Sequence, residues 1–326
     1  MGTYHNPFQL LCIFFNFAVA ILTTLVVFSS IAWQYGFQEA LPNLLTQSLQ
    51  DVADARPSSI SPQPWAHNIW AALTLWHVLW ALYGLVNVFR KTAGVPVYTS
   101  PVLLNNIALV TYIFSCGFTI AWFILYDRLY TSVSCLFIAM TCILTWVAYG
   151  ACAYALNYNL YRLQKSERES ELWWTRLLVH NGIAAMGTWS YFVFAFNLAL
   201  ALVHNPDIQL KDEIASIISL SIIGLYQVLL LILNITCFDR QTRSTMAPYI
   251  LNIIILSAVL FRMELWSTQD NKFVLAAVLL AFAFLSLMVK CVFVAFRLLK
   301  GSSGGGEITS EYHHSTKATE AHYLLK

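Results

Sequence analysis

The sequence has few charged residues: Asp, Glu, Lys and Arg make up 10% of its 326 residues. Soluble domains carry about 25% of these four residues. Here 59% of the residues are hydrophobic and the mean hydropathy is +0.64, so a soluble globular fold is excluded. The formal net charge of +2 provides no basic surface for nucleic acid. We predict an all-α integral membrane protein whose main partner is membrane lipid.

Proline is missing from the interior of the long apolar segments, and closely paired cysteines are missing altogether. The nine prolines lie outside those segments or at their edges, so the predicted helices should run without proline kinks. The seven cysteines fall in apolar segments or at their ends, with no CxxC pair. They are typical of small buried hydrophobes rather than of disulfides or a zinc site. Because no HExxH motif or Cys/His cluster occurs either, we assign no catalytic residue and no metal site.

Eight apolar segments have the length of a membrane-crossing helix, which needs about 20 residues. They are 8–34, 65–89, 102–126, 131–156, 175–204, 213–238, 249–266 and 273–298. The seventh is the shortest and contains Arg262 and Glu264, so a bundle of seven helices is the alternative to eight. Residues 1–300 form the bundle in this prediction. The stretch GSSGGG then begins a flexible polar tail, residues 301–326.

Basic residues are concentrated in alternate loops of this arrangement. One side contains Arg90, Lys91, Arg162, Lys165, Arg168, Arg240, Arg243, Arg297 and Lys300. The opposite side contains Arg56, Arg128, Lys211 and Lys272, together with several acidic residues. Lys and Arg are enriched in cytoplasmic loops. Both termini are therefore predicted to be cytoplasmic, which requires an even number of crossings and favours eight.

Several tryptophans lie too deep for the lipid–water interface, where this residue is usually found in membrane proteins. In the second predicted helix, Trp76 and Trp80 share one face, and Trp70 and His77 share the neighbouring face. Lipid cannot accept a hydrogen bond from an indole or an imidazole, so at least one of these faces must point into the bundle. The rings then either pack against other helices or line a cavity for a flat apolar ligand.

Three segments resemble the tryptophan-rich sensory protein (translocator protein) family. PWAHNIWAALTLWHVLWALYG, residues 64–84, is similar to the family's second helix in its Pro64, its Ile69–Trp70 pair and its Leu82–Tyr83–Gly84 end. GFTIAWFILYDR, residues 117–128, carries Trp122, with Thr119 where the family has Asn. The fifth helix has Trp189 and Asn197 at the family's spacing, without the Pro–Tyr that usually precedes this Trp.

This resemblance covers the second to fifth predicted helices, and the remaining helices would be additions to a five-helix family. It implies a bundle that binds a tetrapyrrole or a sterol within the membrane and takes part in sensing or trafficking. The ligand-binding residues that we infer from the resemblance and from the deep aromatic faces are Trp70, Trp76, His77, Trp80, Trp122, Trp189 and Asn197.

The cofactor stays unassigned from the sequence, with haem or porphyrin as the candidate. Two histidines on facing helices can be the axial ligands of a haem, and His77 and His180 are the candidates, although the predicted topology places them at different depths. Buried asparagines near the cytoplasmic side are expected to form a polar packing layer, and Lys290 is expected to extend toward the level of Arg297. A transporter or channel for a small solute is the alternative function, although no carboxylate is predicted at mid-membrane. A structural or interaction protein is the third.

The tail ends in EAHYLLK, in which Glu320, Leu324 and Leu325 fit the acidic dileucine sorting pattern. Such a signal needs a mobile segment and two leucines that can enter an apolar pocket of a cytosolic adaptor. The pattern predicts a cytosolic sorting adaptor as partner, and a protein of the plasma membrane or of endosomes and lysosomes. An inert tail is the alternative.

Overall fold

The computed structural model describes residues 5–36, 45–263 and 271–303, and within them the chain is almost entirely helical. The helices are α1 (Pro7–Gln34), α2 (Leu49–Ala55), α3 (Asn68–Phe89), α4 (Asn106–Asp127), α5 (Thr131–Lys165), α6 (Glu169–Trp174), α7 (Asn181–His204), α8 (Asp212–Ile235), α9 (Asp239–Thr242), α10 (Ala247–Arg262) and α11 (Asn271–Ser303). Two short antiparallel strands, β1 (Lys91–Thr92) and β2 (Val95–Pro96), form a hairpin after α3.

Seven helical segments in the described ranges are long and apolar enough to cross a membrane, which confirms the predicted all-α membrane class. They contain α1, α3, α4, α5, α7, α8 and α11. Helix α10, which corresponds to the predicted seventh crossing, has only 16 residues. Pro7 and Pro248 lie in the first turns of α1 and α10, where the missing N–H interrupts no helical hydrogen bond.

The fifth crossing is longer than its sequence pattern indicates. Helix α6 continues through a π-helical turn, Thr175–His180, directly into α7, so that one helical segment runs from Glu169 to His204. Within this turn the wider backbone leaves amide groups out of the usual pattern. The Arg176 carbonyl accepts from the backbone N–H of Asn181 and also from its side-chain amide, at 2.8 Å.

The bundle has two distinct ends, and we call the one with more arginines the basic end. There Arg90 pairs with the buried Glu171 at 3.1 Å and joins the end of α3 to α6. The Gln9 side chain of α1 donates to the Leu104 carbonyl at 2.9 Å, which places the start of α1 at the same end. Arg297, near the end of α11, lies 3.7 Å from Asp239. The described chain therefore begins and ends at the basic end.

The segment 45–63 covers the other end, which we call the capped end. Asp127, at the last turn of α4, is buried and accepts from the backbone N–H groups of Thr46 and Gln47, both at 2.8 Å. Asp212, at the first turn of α8, accepts from the backbone N–H of Ser59 at 3.2 Å. Two carboxylates at helix ends thus hold the segment in place.

Helix α7 is the centre of the bundle. It packs against α5 and α3 on one side and against α8 and α10 on the other, and most of its residues are buried. Helices α1, α3, α4 and α5 form the group on the first side, and α11 joins α8 and α10 on the second. Many α7 residues are Gly, Ala or Ser, which lets neighbouring helices place large rings against it.

Candidate functional site

Three of the predicted ligand-binding tryptophans form one buried cluster. Trp70 of α3 stacks on Trp122 of α4 with ring centroids 5.3 Å apart and an interplanar angle of 26°. Trp122 stacks in turn on Tyr126 at 5.1 Å and 25°. Trp189 of α7 meets Trp70 edge-on at 5.8 Å, and Phe123 meets the Trp70 and Trp122 rings at steep angles. We call these five residues the tryptophan cluster.

Asn197 fixes the orientation of this cluster. Its Oδ1 atom accepts a hydrogen bond from Trp122 Nε1 at 3.3 Å and another from Ser134 Oγ at 3.1 Å. Its amide nitrogen donates to the Val193 carbonyl of its own helix at 3.0 Å. The polar group that satisfies the Trp122 indole inside the bundle is therefore a protein side chain, and it links α4, α5 and α7.

His77 and Trp80 belong to a second aromatic group, closer to the basic end. The His77 ring stacks on Trp80 at 4.9 Å, and both meet the Tyr112 ring edge-on, at 4.6 and 5.0 Å. The Nε2 atom of His77 lies 3.4 Å from Asn16 Oδ1, and its Nδ1 atom lies 3.8 Å from Cys116 Sγ. Sequence reasoning overlooked Asn16, although it is a buried amide within the apolar first segment.

The surroundings of His77 do not favour axial haem ligation, and those of His180 differ. Both nitrogens of His77 already face protein atoms. His180 lies in the π-helical turn that precedes α7, where its ring meets Tyr149 edge-on at 5.9 Å. Among the described residues, no group of three or more His, Cys, Asp or Glu side chains could hold a metal ion. Both ring nitrogens of His180 are buried without a hydrogen-bond partner in the described part of the chain.

Trp76 is half-buried and lies against α7 at a glycine. A Cβ atom at Gly182 would come within 3.1 Å of Trp76 Cδ1 and 3.3 Å of Trp80 Cδ1. Trp146 of α5 packs in the same way against Gly187, where a Cβ would be 3.0 Å from Cε2. The indole N–H groups of Trp146 and Trp189 are buried without a hydrogen-bond partner in the described part of the chain. They are free donors in the interior.

A small cleft opens near the basic end, between the last turns of α3 and the loop that leads to α4. Tyr83, Asn87, Tyr98 and Leu104 line it, and its cavity volume of about 20 Å³ accommodates one or two water molecules. The tryptophan cluster lies elsewhere, and its rings contact one another directly.

The structure thus brings Trp70, Trp122, Trp189 and Asn197 together, and it places His77, Trp80 and Trp76 in a neighbouring layer of the same helices. Six of these seven predicted residues are buried, and Trp76 is half-buried. The predicted sorting residues Glu320, Leu324 and Leu325 lie outside the described residues.

The fold and the buried rings define this protein as an all-α integral membrane protein with an aromatic interior. Comparison with known protein families, curated proteins and solved structures finds no match to this chain. The resemblance to the tryptophan-rich sensory protein family remains an expectation drawn from the residues alone.

Proposed function

We propose that this protein binds a flat apolar molecule, a tetrapyrrole or a sterol, among the helices that carry the tryptophan cluster, and that it senses or traffics this ligand. The observation that carries the proposal is the near-parallel stack of Trp70, Trp122 and Tyr126 within the bundle. Stacked aromatic surfaces of this kind bind planar ring systems through dispersion and ring electrostatics.

The free N–H of Trp189 gives such a ligand a polar contact. It is a buried donor on a ring that already touches Trp70. A sterol hydroxyl or a tetrapyrrole carboxylate can accept its hydrogen bond, and a buried donor gains about 1–3 kcal/mol when it is satisfied. An apolar molecule without any acceptor leaves this donor unpaired and is expected to bind less well.

Ligand binding and helix movement are coupled in this proposal. The cluster rings touch one another, so a flat ligand enters by separating α3 from α4 and α7. A ligand that binds the separated arrangement better shifts the population toward it. This shift supplies the readout that a sensory protein needs.

We further propose eight crossings with both termini in the cytoplasm. Support comes from α10, which at about 1.5 Å per residue is about 24 Å long. Its first amides, at Met246 and Ala247, donate to Asn181 near the basic end, and its Ala258 carbonyl accepts from Gln63 near the capped end. The positive-inside rule adds the orientation. A protease that removes a C-terminal tag from the outside of intact cells would contradict it.

The tail signal is a proposal of its own. If Glu320, Leu324 and Leu325 engage a cytosolic adaptor, the protein cycles between the plasma membrane and endosomes or lysosomes. Imaging a tagged chain beside its Leu324→Ala/Leu325→Ala double variant tests this. We expect more of the variant at the cell surface, and identical distributions would remove the sorting role.

Titration of the detergent-purified full chain with protoporphyrin and, separately, with cholesterol tests the ligand proposal. Trp70→Leu removes the central ring of the cluster, and a stacking pair contributes about 0.5–1.5 kcal/mol. We therefore expect Kd to rise by up to about tenfold. Trp173→Leu is the control, because this ring is 56% exposed near the basic end. Saturable binding that is equal in wild type and in a folded Trp70→Leu variant would place the ligand elsewhere, and absence of binding of both probes would refute the proposal.

A further inference from the structure

A second set of buried polar side chains lies on the other side of α7, between α8, α10 and α11. Gln227 of α8 is 1% exposed, and neither its Nε2 nor its Oε1 atom has a hydrogen-bond partner. The same holds for the Tyr249 hydroxyl and Asn252 Oδ1 of α10 and for Ser286 Oγ of α11. An unsatisfied buried polar group costs about 1–3 kcal/mol. Several such groups in one region therefore indicate that they bind something other than one another.

Contacts to α7 place Gln227 and Asn252 at the same depth. The Thr188 hydroxyl lies 2.7 Å from the Tyr226 hydroxyl, so Gln227 is beside the same turn of α7. Asn181 of α7 accepts from the backbone of Ala247 in α10, and the two helices run in the same direction. Asn252 and Thr188 are each one to two turns further along, so both lie at about the same level.

Helix α11 brings Ser286 and Lys290 to this region. Helices α8 and α11 run in parallel, because Lys272 pairs with Asp212 at their starts and Gly224 contacts Leu279 further along. From that contact, Ser286 lies one turn closer to the basic end than Gln227, and Lys290 lies one turn beyond Ser286. Lys290 is only 1% exposed, and its ammonium interacts electrostatically with Asp239, which also pairs with Arg297.

The charge of this region is positive. The described residues of α8, α10 and α11 contain no carboxylate between the first turn of α8 and the basic end. Asp239 of α9 is already shared by Arg243, at 3.0 Å, and Arg297, at 3.7 Å. Lys290 therefore adds an ammonium group to an arginine-rich end. Among the unpaired atoms, the hydroxyls of Tyr249 and Ser286 and the Nε2 atom of Gln227 can donate hydrogen bonds to an anion.

We propose that Gln227, Tyr249, Ser286 and Lys290 form a hydrated binding site for a small monovalent anion. The ammonium supplies the charge, and the hydroxyls and amide N–H groups replace the hydration shell of the anion. This site is separate from the tryptophan cluster, because its residues belong to α8, α10 and α11, whereas those of the cluster belong to α3, α4 and α7. It gives the chain a second ligand of a different chemical class, independent of the proposed function.

Thiol labelling of the purified full chain tests the site. In a background with the two exposed cysteines replaced, Cys237→Ser and Cys291→Ser, Ser286→Cys places a thiol in the site. Leu285→Cys is the matched control, since it is at the same depth but 57% exposed on the lipid-facing surface. Two water-soluble methanethiosulfonate reagents are compared, one carrying a sulfonate and the other a trimethylammonium group, each corrected for its rate with a free thiol.

We expect the anionic reagent to modify Ser286→Cys at least about tenfold faster than the cationic reagent, because a positively charged recess concentrates anions. Chloride should slow the reaction. Lys290→Gln should bring the ratio close to 1, and Lys290→Arg should retain the preference. Failure of both reagents to modify Ser286→Cys would show dry packing and overturn the proposal. Equal rates in the presence of Lys290 would show water without anion selectivity and overturn it as well.

Discussion

Asn197→Ala is expected to destabilise the bundle through Trp122. The substitution removes two interhelical hydrogen bonds, from Trp122 Nε1 and from Ser134 Oγ. Such bonds contribute about 0.6 kcal/mol each in membrane proteins, which sets a lower limit of about 1.2 kcal/mol. Ser134 can still donate to the Thr131 carbonyl at 2.9 Å, but the indole N–H of Trp122 loses the acceptor that the structure gives it. The loss of a buried partner raises the expected total to about 2–3 kcal/mol.

A double-mutant cycle isolates the pair. Asn197→Ala, Trp122→Phe and the double variant are unfolded in mixed micelles with increasing sodium dodecyl sulfate, and helix content is followed by circular dichroism. We expect a coupling energy of about 0.6–1.7 kcal/mol. Asn159→Ala is the control, since within the described residues that amide bonds to Ala155 of its own helix and to no other helix, and its effect should stay below about 0.5 kcal/mol. Additive effects of Asn197 and Trp122, within about 0.3 kcal/mol, would refute the reasoning.

Three other substitutions test the packing, by the same unfolding measurement, by hydrogen exchange or by proteolysis. Gly187→Ala forces a Cβ against the Trp146 ring and should lower the free energy of unfolding by about 1–3 kcal/mol. Its control is Gly150→Ala, whose Cβ would have no described neighbour within 4 Å and which should leave the stability unchanged or raise it by up to about 1 kcal/mol. Equal effects of the two substitutions would contradict the contact. Asn181→Ala leaves the first amides of α10 without their acceptor, so those amides should exchange hydrogen faster, and unchanged exchange would argue against this cap. Asp127→Ala releases the segment 45–48 and should speed proteolysis there; an unchanged cleavage rate would show that other contacts hold it.

The helical membrane class could be predicted because a membrane-crossing helix has a simple sequence pattern, about 20 apolar residues bounded by charged ones. Sequence reasoning also selected Trp122 and Asn197 as important. It could not predict that they bond to each other, because the pairing depends on the rotation of α4 and α7 about their axes. Apolar composition does not determine this rotation. The π-helical turn that joins α6 to α7 in the fifth crossing was not predicted either.

The polar residues of the last three helices show the limit more clearly. The sequence predicts that Asn252 belongs to a polar packing layer and that Lys290 extends toward the level of Arg297. In the structure Lys290 is buried and interacts with Asp239, the partner of Arg297. Asn252 Oδ1 has no hydrogen-bond partner in the described part of the chain. Depth along a helix can be counted from the sequence, but whether a polar side chain finds a partner depends on which face its neighbours present.

The identity of any bound molecule tests the central claim most directly. The full chain is purified in mild detergent from a membrane that contains both sterols and tetrapyrroles, and its absorbance spectrum and intact mass are measured beside those of the Trp70→Leu and Trp173→Leu variants. The proposal predicts one planar ligand per chain, a sterol by mass or a tetrapyrrole with a Soret band, that Trp173→Leu retains and Trp70→Leu loses in part or completely. A folded wild-type protein that carries neither molecule and takes up neither when they are added would contradict it.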